Sequence, residues 1–501
     1  METGHNLAAV IEATARVNGW ETRPAFLLER STITHGEVHD GVARAASVLG
    51  DLGVDRGDVV LIAVPDGVEF VWAFLGAVRV GALAVPVNPE LTADDHRSLG
   101  EDCGASIVVC TEGLRPRFVG RAVVITDAEL VRSMAAAAPH PAVPVGAGTP
   151  AYAQYTSGTT GAPKAAVHRH GDPVVYAQAF AESALGLGSG DVVLSVSKMY
   201  FAYGLGNSLF FPLLCGARAV LSPDRPPPTQ LASLVERHRV SVLFAVPTFY
   251  AHLVRECEPA PPAGAFDSVR VAVSAGERLT TRLAARTSHL LDCAVLDGLG
   301  STEVGQTFAS NTVRTGRHGT VGRALPPYEL AVRARDGTEL PAGKVGPLWV
   351  RGPTVLLEYL GRAGAATDEH GWLRTEDLAC IDADGFVHLH GRSDDMEMVG
   401  GISVAPGEIE ELLGGHDAVA EVAVVAVADD DGASRLQAFV VPATTGAVEP
   451  SVADELTALA RAHLAPFKVP RTVTFVDRLP RTPTGKLRRF LLRSGAPRPL
   501  R

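Results

Sequence analysis

The residues best suited to chemistry begin with Thr156-Ser157-Gly158-Thr159-Thr160-Gly161, followed by Lys164. Hydroxyl side chains interleaved with two glycines supply donors and freely turning backbone N–H groups that can wrap phosphate oxygens, and Lys164 adds a mobile cation. The spacing is G-x-x-G-x-x-K rather than the Walker G-x-x-x-x-G-K-[ST], and Pro163 disfavours a helix starting at the lysine, which argues against a P-loop kinase. Three further segments carry charge beside turns: Asp297-Gly298-Leu299-Gly300-Ser301-Thr302-Glu303, Trp372 to Asp377, and Leu479-Pro-Arg-Thr-Pro-Thr-Gly-Lys486. Lysine occurs only at 164, 198, 344, 468 and 486, so each one merits attention.

These segments need a scaffold, and the pattern around them is α/β. In DVVLIAVPDGVEFVWAFLGAVRVGALAVPVNP (58–89) a buried-strand run at 59–64 precedes Asp66 as an N-cap, a helix to about Val80 and a second strand. Short apolar runs at 105–110, 122–125, 192–196, 219–221, 242–246 and 269–273 alternate with helical patterns, as in parallel sheets with helical crossovers. After about Gly319 the texture changes to strands joined by Asp336-Gly337 and Asp384-Gly385 turns, a β-rich subdomain expected over about 319–393. From 395 to 501 the order helix, strand, strand, helix, strand forms a small α+β unit long enough for its own core. The expected organisation is a large N-terminal domain (1–393), a hinge at Asp394 and a mobile C-terminal domain (395–501).

Composition narrows the function. A chain of 501 residues exceeds what one hydrophobic core supports, and 46% apolar with 20% charged residues is a folded, globular mixture. A net charge of −11 argues against a nucleic-acid-binding surface. The six cysteines are scattered without a CxxC, so no disulfide is expected and a reducing cytoplasm fits. No apolar run is long enough to cross a bilayer. Neither His168/His170 nor His388/His390 has a third ligand at matching spacing, so no metal is assigned to them.

Taken together with HGRSDDMEMVGGISVAPGEIE at 390–410, the order and spacing of these segments resemble the acyl-adenylate-forming superfamily of acyl-CoA synthetases, firefly luciferase and peptide-synthetase adenylation domains. FAYGLGNSLFFPLLCGARAVL (201–221), VSAGE (273–277) and DGLGSTE (297–303) look like its benzoate-CoA ligase branch. The resemblance spans nearly the whole chain. It implies that Thr156, Ser157, Gly158, Thr159, Thr160, Gly161 and Lys164 hold the ATP phosphates, with Gly276, Glu277, Asp297, Gly298, Ser301 and Thr302 around the nucleotide. Glu303 falls on the Mg²⁺-associated carboxylate, a hard ligand of the kind that ion prefers. Asp377 falls on the acceptor for both ribose hydroxyls, Arg392 on a ribose and phosphate partner, and Lys486 on the catalytic lysine between carboxylate and α-phosphate. Asp394 is the implied hinge, and Gly400 and Gly401 line the implied thiol tunnel.

The implied reaction has two steps: an aromatic acid and ATP give acyl-AMP and pyrophosphate, and a thiol then displaces AMP. The thiol is coenzyme A or, alternatively, the phosphopantetheine of a carrier protein or another nucleophile; a catalytically silent acyl-adenylate-binding protein is the reading from a different class. The acyl slot draws on Phe201, Ala202, Tyr203, Gly204, Ala275, Leu299, Gly300, Gln306 and Thr307, flat enough for a planar ring. Gln306 stands where benzoate ligases tend to have histidine and is expected to read a ring hydroxyl or amino group. Three departures stand out: Leu299 in place of an aromatic residue against adenine, Glu376 in place of a glycine before Asp377, and Met398 in place of a lysine. The C-terminal Arg488, Arg489, Arg493, Arg498 and Arg501 offer charge for a coenzyme A phosphate, though a solvated basic helix end is the favoured reading. The expected state is a cytoplasmic monomer or homodimer.

Overall fold

The computed structural model describes residues 5–120, 122–156, 163–258, 264–334, 336–399, 402–428, 434–443, 451–481 and 487–493. Two mixed sheets build the large N-terminal part. In the six-stranded sheet, Val123–Thr126, Ile107–Cys110, Val59–Ala63, Leu83–Pro86 and Pro150–Tyr155 run parallel, and Ala165–Arg169 closes the edge antiparallel. The nine-stranded sheet has a parallel centre formed by Ala294–Gly300, Val271–Ser274, Val242–Ala245, Val192–Ser195, Arg218–Val220 and Pro24–Leu27, flanked by antiparallel edge strands. The α/β reading of the sequence therefore holds. Most of the expected strands appear within two residues of their sequence positions.

The helix Val68–Arg79 is apolar around almost its whole circumference, which only a fully buried position tolerates. Its Phe74 packs against Tyr152 of the six-stranded sheet and Phe210 beside the nine-stranded one, each at 5.9 Å between ring centroids, and Tyr152 and Phe210 meet at 5.7 Å. One continuous apolar core thus joins the two sheets. Asp66 does not cap this helix: Gly67 occupies the N-cap with no side-chain bond. The Asp66 carboxylate instead accepts the Met199 N–H at 2.9 Å, a tertiary contact 133 residues away that outcompetes local capping.

Glu329–Val332, Gly346–Arg351, Leu373–Ile381 and Val387–Arg392 form a separate four-stranded antiparallel sheet. Gly385 makes the tight turn of its last hairpin at φ +83°. Beyond the short turn Ser393–Asp395, a two-stranded ribbon, the helix Pro406–Gly414 and the three-stranded sheet of Val419–Ala428, Ser434–Pro442 and Thr472–Phe475 enclose cores of their own. All six cysteines are free thiols. Among the described residues no helix is long and apolar enough to cross a membrane.

Candidate active site

The phosphate-loop segment is the connection between two antiparallel strands, Pro150–Tyr155 and Ala165–Arg169. Its base is closed by the Thr156 N–H donating to Lys164 O at 2.8 Å, in continuation of the Tyr155 to Ala165 pairing. Arg362 donates to Pro163 O at 2.9 Å and fixes the return limb. Ser157, Gly158, Thr159, Thr160 and Gly161 lie outside the described residues, as do Gly400, Gly401 and Lys486; Asp394 is described in its backbone alone.

Lys164 and Glu303, 139 positions apart, converge on one tyrosine. The Lys164 ammonium sits 5.3 Å from the centroid of the Tyr359 ring, and Tyr359 Oη donates to Glu303 Oε1 at 3.2 Å. Burial drives the Tyr359 phenol upward, with Glu303 adding to it, so the hydroxyl stays a donor. Among the described residues Glu303 Oε2 makes no hydrogen bond, and a half-buried carboxylate oxygen sharing Tyr359 with Lys164 has the donor chemistry Mg²⁺ prefers. His168, fully buried, donates from Nε2 to Thr302 O at 2.7 Å and so pins the turn carrying Ser301, Thr302 and Glu303. The sequence offered only an HxH pair as a signal for His168. The second member, His170, accepts the Leu7 N–H at Nδ1 instead. Among the described residues no cluster of metal-ligating side chains exists.

On the nucleotide side, the strand Val271–Ser274 delivers the turn Ala275, Gly276 and Glu277, where Gly276 takes φ +89°. Glu277 Oε2 accepts from Thr248 Oγ1 at 2.5 Å and from the Thr248 N–H at 3.3 Å. Beside it the strand Ala294–Gly300 carries Asp297, Gly298 and Leu299. Asp297 Oδ1 is buried with no partner among the described residues, and burial raises its carboxyl well above the usual range, with the Gly298 N–H and Arg278 acting against it. Leu299 packs into the main core. Asp377 and Arg392 face one another as register partners on adjacent antiparallel strands. Glu376 turns toward Ser393, whose Oγ donates to its carboxylate at 2.6 Å, so this departure ties the strand Leu373–Ile381 to the start of the turn at 393–395.

The acyl slot assembles from two walls. Phe201, Ala202, Tyr203 and Gly204 open a short helix, with Phe201 against Tyr200 and Tyr203 against Phe244 in edge-to-face pairs at 4.6 and 6.1 Å. Gly300, Gln306 and Thr307 belong to the hairpin of Ala294–Gly300 with Thr307–Ser310. A Cβ on Gly300 would lie 2.9 Å from Gln306 O, so only glycine fits that crossing. Gln306 joins the walls. Its Nε2 donates to Ala202 O and Tyr203 O, both at 3.3 Å, and its Oε1 accepts from Thr307 N and Oγ1 at 3.0 and 3.1 Å. Both amide hydrogens and both lone pairs are thereby engaged within the chain, and the residue is 3% exposed. A reader of ring substituents needs an open donor or acceptor, so the geometry makes Gln306 a clamp. Just upstream, the buried Lys198 donates to Ser222 O and Asp224 O, both at 2.7 Å, 4.0 Å from Asp66. Burial lifts the Asp66 carboxyl to about 6 against the pull of Lys198.

Two of the C-terminal arginines are held inside the chain. Arg489 pairs with Glu410 at 2.6 Å and Asp395 at 3.5 Å, and Arg493 with the buried Glu397 at 2.6 Å. Met398, next to Glu397, is exposed. Residues given no site role from the sequence complete the arrangement: Tyr359, His168 and Thr248, and Arg481, whose Nη1 reaches Glu277 Oε1 at 3.3 Å.

A strand connection rich in hydroxyls and glycines, with Lys164 and Glu303 meeting on one tyrosine, is the arrangement expected of an adenylate-forming enzyme. The chain belongs to the AMP-binding enzyme family, which matches residues 13–360, with the family's C-terminal domain at residues 408–486. Within that family it lies in the benzoate-CoA ligase-like branch. It is 45% identical over 493 residues, 98% of this chain and 69% of its counterpart, to the p-hydroxybenzoic acid-AMP ligase FadD22 of Mycobacterium tuberculosis. It is 36% identical to the benzoate-CoA ligase of Thauera aromatica, covering 94% of this chain and 92% of that one. Crystal structures of a benzoate-CoA ligase from Burkholderia xenovorans LB400 superpose with a TM-score of 0.90 at 35% identity, over 97% of this chain and 99% of the other. ATP-bound MatB from Rhodopseudomonas palustris does so with a TM-score of 0.88 at 28% identity, over 97% and 98%. The chain is accordingly an AMP-forming ligase of the aryl-acid type that uses ATP.

Proposed function

We propose that this enzyme activates a benzoate-type acid, p-hydroxybenzoate first among them, to its acyl adenylate and then passes the acyl group to a thiol. The observation that carries the aryl reading is the Gln306 clamp, which ties the backbone at Ala202 and Tyr203, with its rings Phe201 and Tyr203, to Thr307 beside Gly300. The names of the relatives, acting on benzoate and its hydroxyl derivatives, support the same class.

In this reading the loop from Thr156 to Lys164 grips the β- and γ-phosphates. Glu303, steadied by Tyr359 and by His168 behind Thr302, would hold Mg²⁺, which would neutralise phosphate charge. Asp377 receives the ribose hydroxyls, with Arg392 beside it. The acid carboxylate attacks the α-phosphate in line, and Lys486 carries the charge that builds there, an effect worth a factor of about 10²–10³ in rate. Asp394 is the pivot about which the C-terminal domain, 395–501, turns between steps, and Gly400 and Gly401 then line the thiol's path.

The acceptor has two readings, coenzyme A and a carrier protein's phosphopantetheine. The pairing of Arg489 and Arg493 with Glu410, Asp395 and Glu397 favours the carrier, because it withdraws two of the cations available for a coenzyme A 3′-phosphate. Pyrophosphate release measured with p-hydroxybenzoate, benzoate, anthranilate and octanoate tests the substrate class: turnover fastest with octanoate defeats the aryl reading. Repeating the best acid with free coenzyme A and with a holo-carrier identifies the acceptor by the thioester that accumulates.

A further inference from the structure

We infer that Arg481 is a positioning residue for adenylate formation: by bridging Glu277 of the turn after Val271–Ser274 to Glu421 of the C-terminal sheet, it fixes Leu487, the chain neighbour of Lys486, relative to that turn. The inference rests on the proposed role of Lys486.

The guanidinium lies between two carboxylates from different parts of the molecule. Nη1 reaches Glu277 Oε1 at 3.3 Å and Nη2 reaches Glu421 Oε2 at 2.7 Å. Each carboxylate has a further anchor in the helix Pro247–Cys257. Thr248 donates to Glu277, and His252 Nε2 lies 3.5 Å from Glu421 Oε1. Glu277 and Glu421 side chains are only 14% and 11% exposed, so their mutual repulsion is poorly screened by solvent and the bridging cation is strongly held. Burial raises Glu277, with Arg481 and Thr248 opposing it. At Glu421 burial pushes the same way, yet His252 and Arg481 outweigh it and hold the group down at about 2.

Backbone pairing carries this side-chain anchor to the lysine. Arg481 forms an antiparallel bridge with Leu487, and the Arg488 N–H donates to Pro480 O at 2.8 Å. The two ends of the segment 482–486 are therefore clamped together, and Leu487, the neighbour of Lys486, sits opposite the anchored arginine. Through that bridge, fixing Arg481 on Glu277 also fixes Leu487, the residue that follows Lys486 in the chain. Arg278 and Arg282 add contacts to Gly407, Glu411, Gly415 and Asp417, in and just after the helix Pro406–Gly414.

The test is carboxylate-dependent ATP–pyrophosphate exchange with p-hydroxybenzoate on full-length Arg481→Ala, Arg481→Lys, Glu421→Gln and Lys486→Ala proteins. Binding of a non-hydrolysable p-hydroxybenzoyl-adenylate analogue is measured alongside. Arg481→Ala is expected to lower exchange kcat by about 30-fold while the KM for acid and the analogue Kd stay within about threefold, since a mispositioned lysine costs rate more than ground-state binding. Arg481→Lys, reaching one carboxylate at a time, is expected to recover about half of that loss on a logarithmic scale, and Glu421→Gln to cost about tenfold in kcat. Exchange within about threefold of wild type in Arg481→Ala, or in both Arg481→Lys and Glu421→Gln should the alanine variant not fold, overturns the inference. So does a parallel loss of kcat and analogue affinity, which marks a structural role. If Lys486→Ala exchanges normally, the reading beneath the inference fails; if Lys486→Ala is crippled while the Arg481 variants are not, the inference alone fails.

Discussion

Replacing Gln306 with leucine removes all four hydrogen bonds of the slot clamp at nearly constant volume. The two bonds to Ala202 O and Tyr203 O are long, 3.3 Å, and belong at the weak end, about 0.5 kcal/mol each. The Thr307 N–H is buried and loses a 3.0 Å acceptor, which costs about 1–3 kcal/mol when nothing replaces it. The sum is about 2–4 kcal/mol, spread between stability and the geometry of the slot. If only about 1.4 kcal/mol of it appears in transition-state binding, kcat/KM for the acid falls about tenfold. Pyrophosphate release measured with p-hydroxybenzoate and with benzoate checks this, and the clamp requires both acids to suffer alike, chiefly through KM. A loss confined to the hydroxylated acid refutes the clamp and restores Gln306 as a direct reader of the substituent. Unchanged kinetics with both refutes it as well.

Lys486→Ala is expected to slow acyl-adenylate formation by about 10²–10³ while leaving transfer from supplied acyl-AMP intact; equal loss in the two half-reactions speaks against its assignment. Gly206→Ala would place a Cβ 2.0 Å from Gln306 Nε2, an overpacking of about 1–3 kcal/mol that expels the amide, so KM for the acid should rise as in Gln306→Leu. The buried His35 and His39 are held down to about 4, by burial first, with His39 adding to the effect at His35 and Arg79 at His39. A folded value below the unfolded 6.5 means the neutral rings contribute stability fully above that pH and lose it as pH falls toward 4, about 2 kcal/mol for each at pH 5. Apparent Tm should therefore drop between pH 7 and pH 5, and the double variant His35→Phe, His39→Leu should flatten that drop; an unaltered pH profile contradicts the account.

The parts of the site legible in the sequence were those whose chemistry is local. A loop of hydroxyls, glycines and a lysine declares itself within ten residues, whereas the roles of Asp377 and Arg392 came only from the family resemblance. Side chains that act across the fold left no such mark. Tyr359 joins Lys164 to Glu303, and His168 supports Thr302 from 134 residues away. Arg481 lies inside a segment noted only for its lysine. Asp66 shows the same limit in reverse: its position before an apolar helix reads as a cap, and a distant backbone N–H claims it. Gln306 was expected in the slot as a reader of ring substituents, yet which of its hydrogen bonds remain open depends on carbonyls a hundred positions earlier.

The contact of Phe74, Tyr152 and Phe210 has a bearing on inhibitor design. Tyr152 lies on the strand that runs into the phosphate loop, and Phe210 follows the helix that walls the acyl slot. With three interlocked rings between them, the strand leading to Thr156 and the helix carrying Tyr203 are held at a fixed spacing, so under the proposed function the distance from phosphates to aryl ring stays constant between the two steps. A bisubstrate compound that couples an aryl group to an adenosine should accordingly gain or lose affinity steeply with each atom added to its linker.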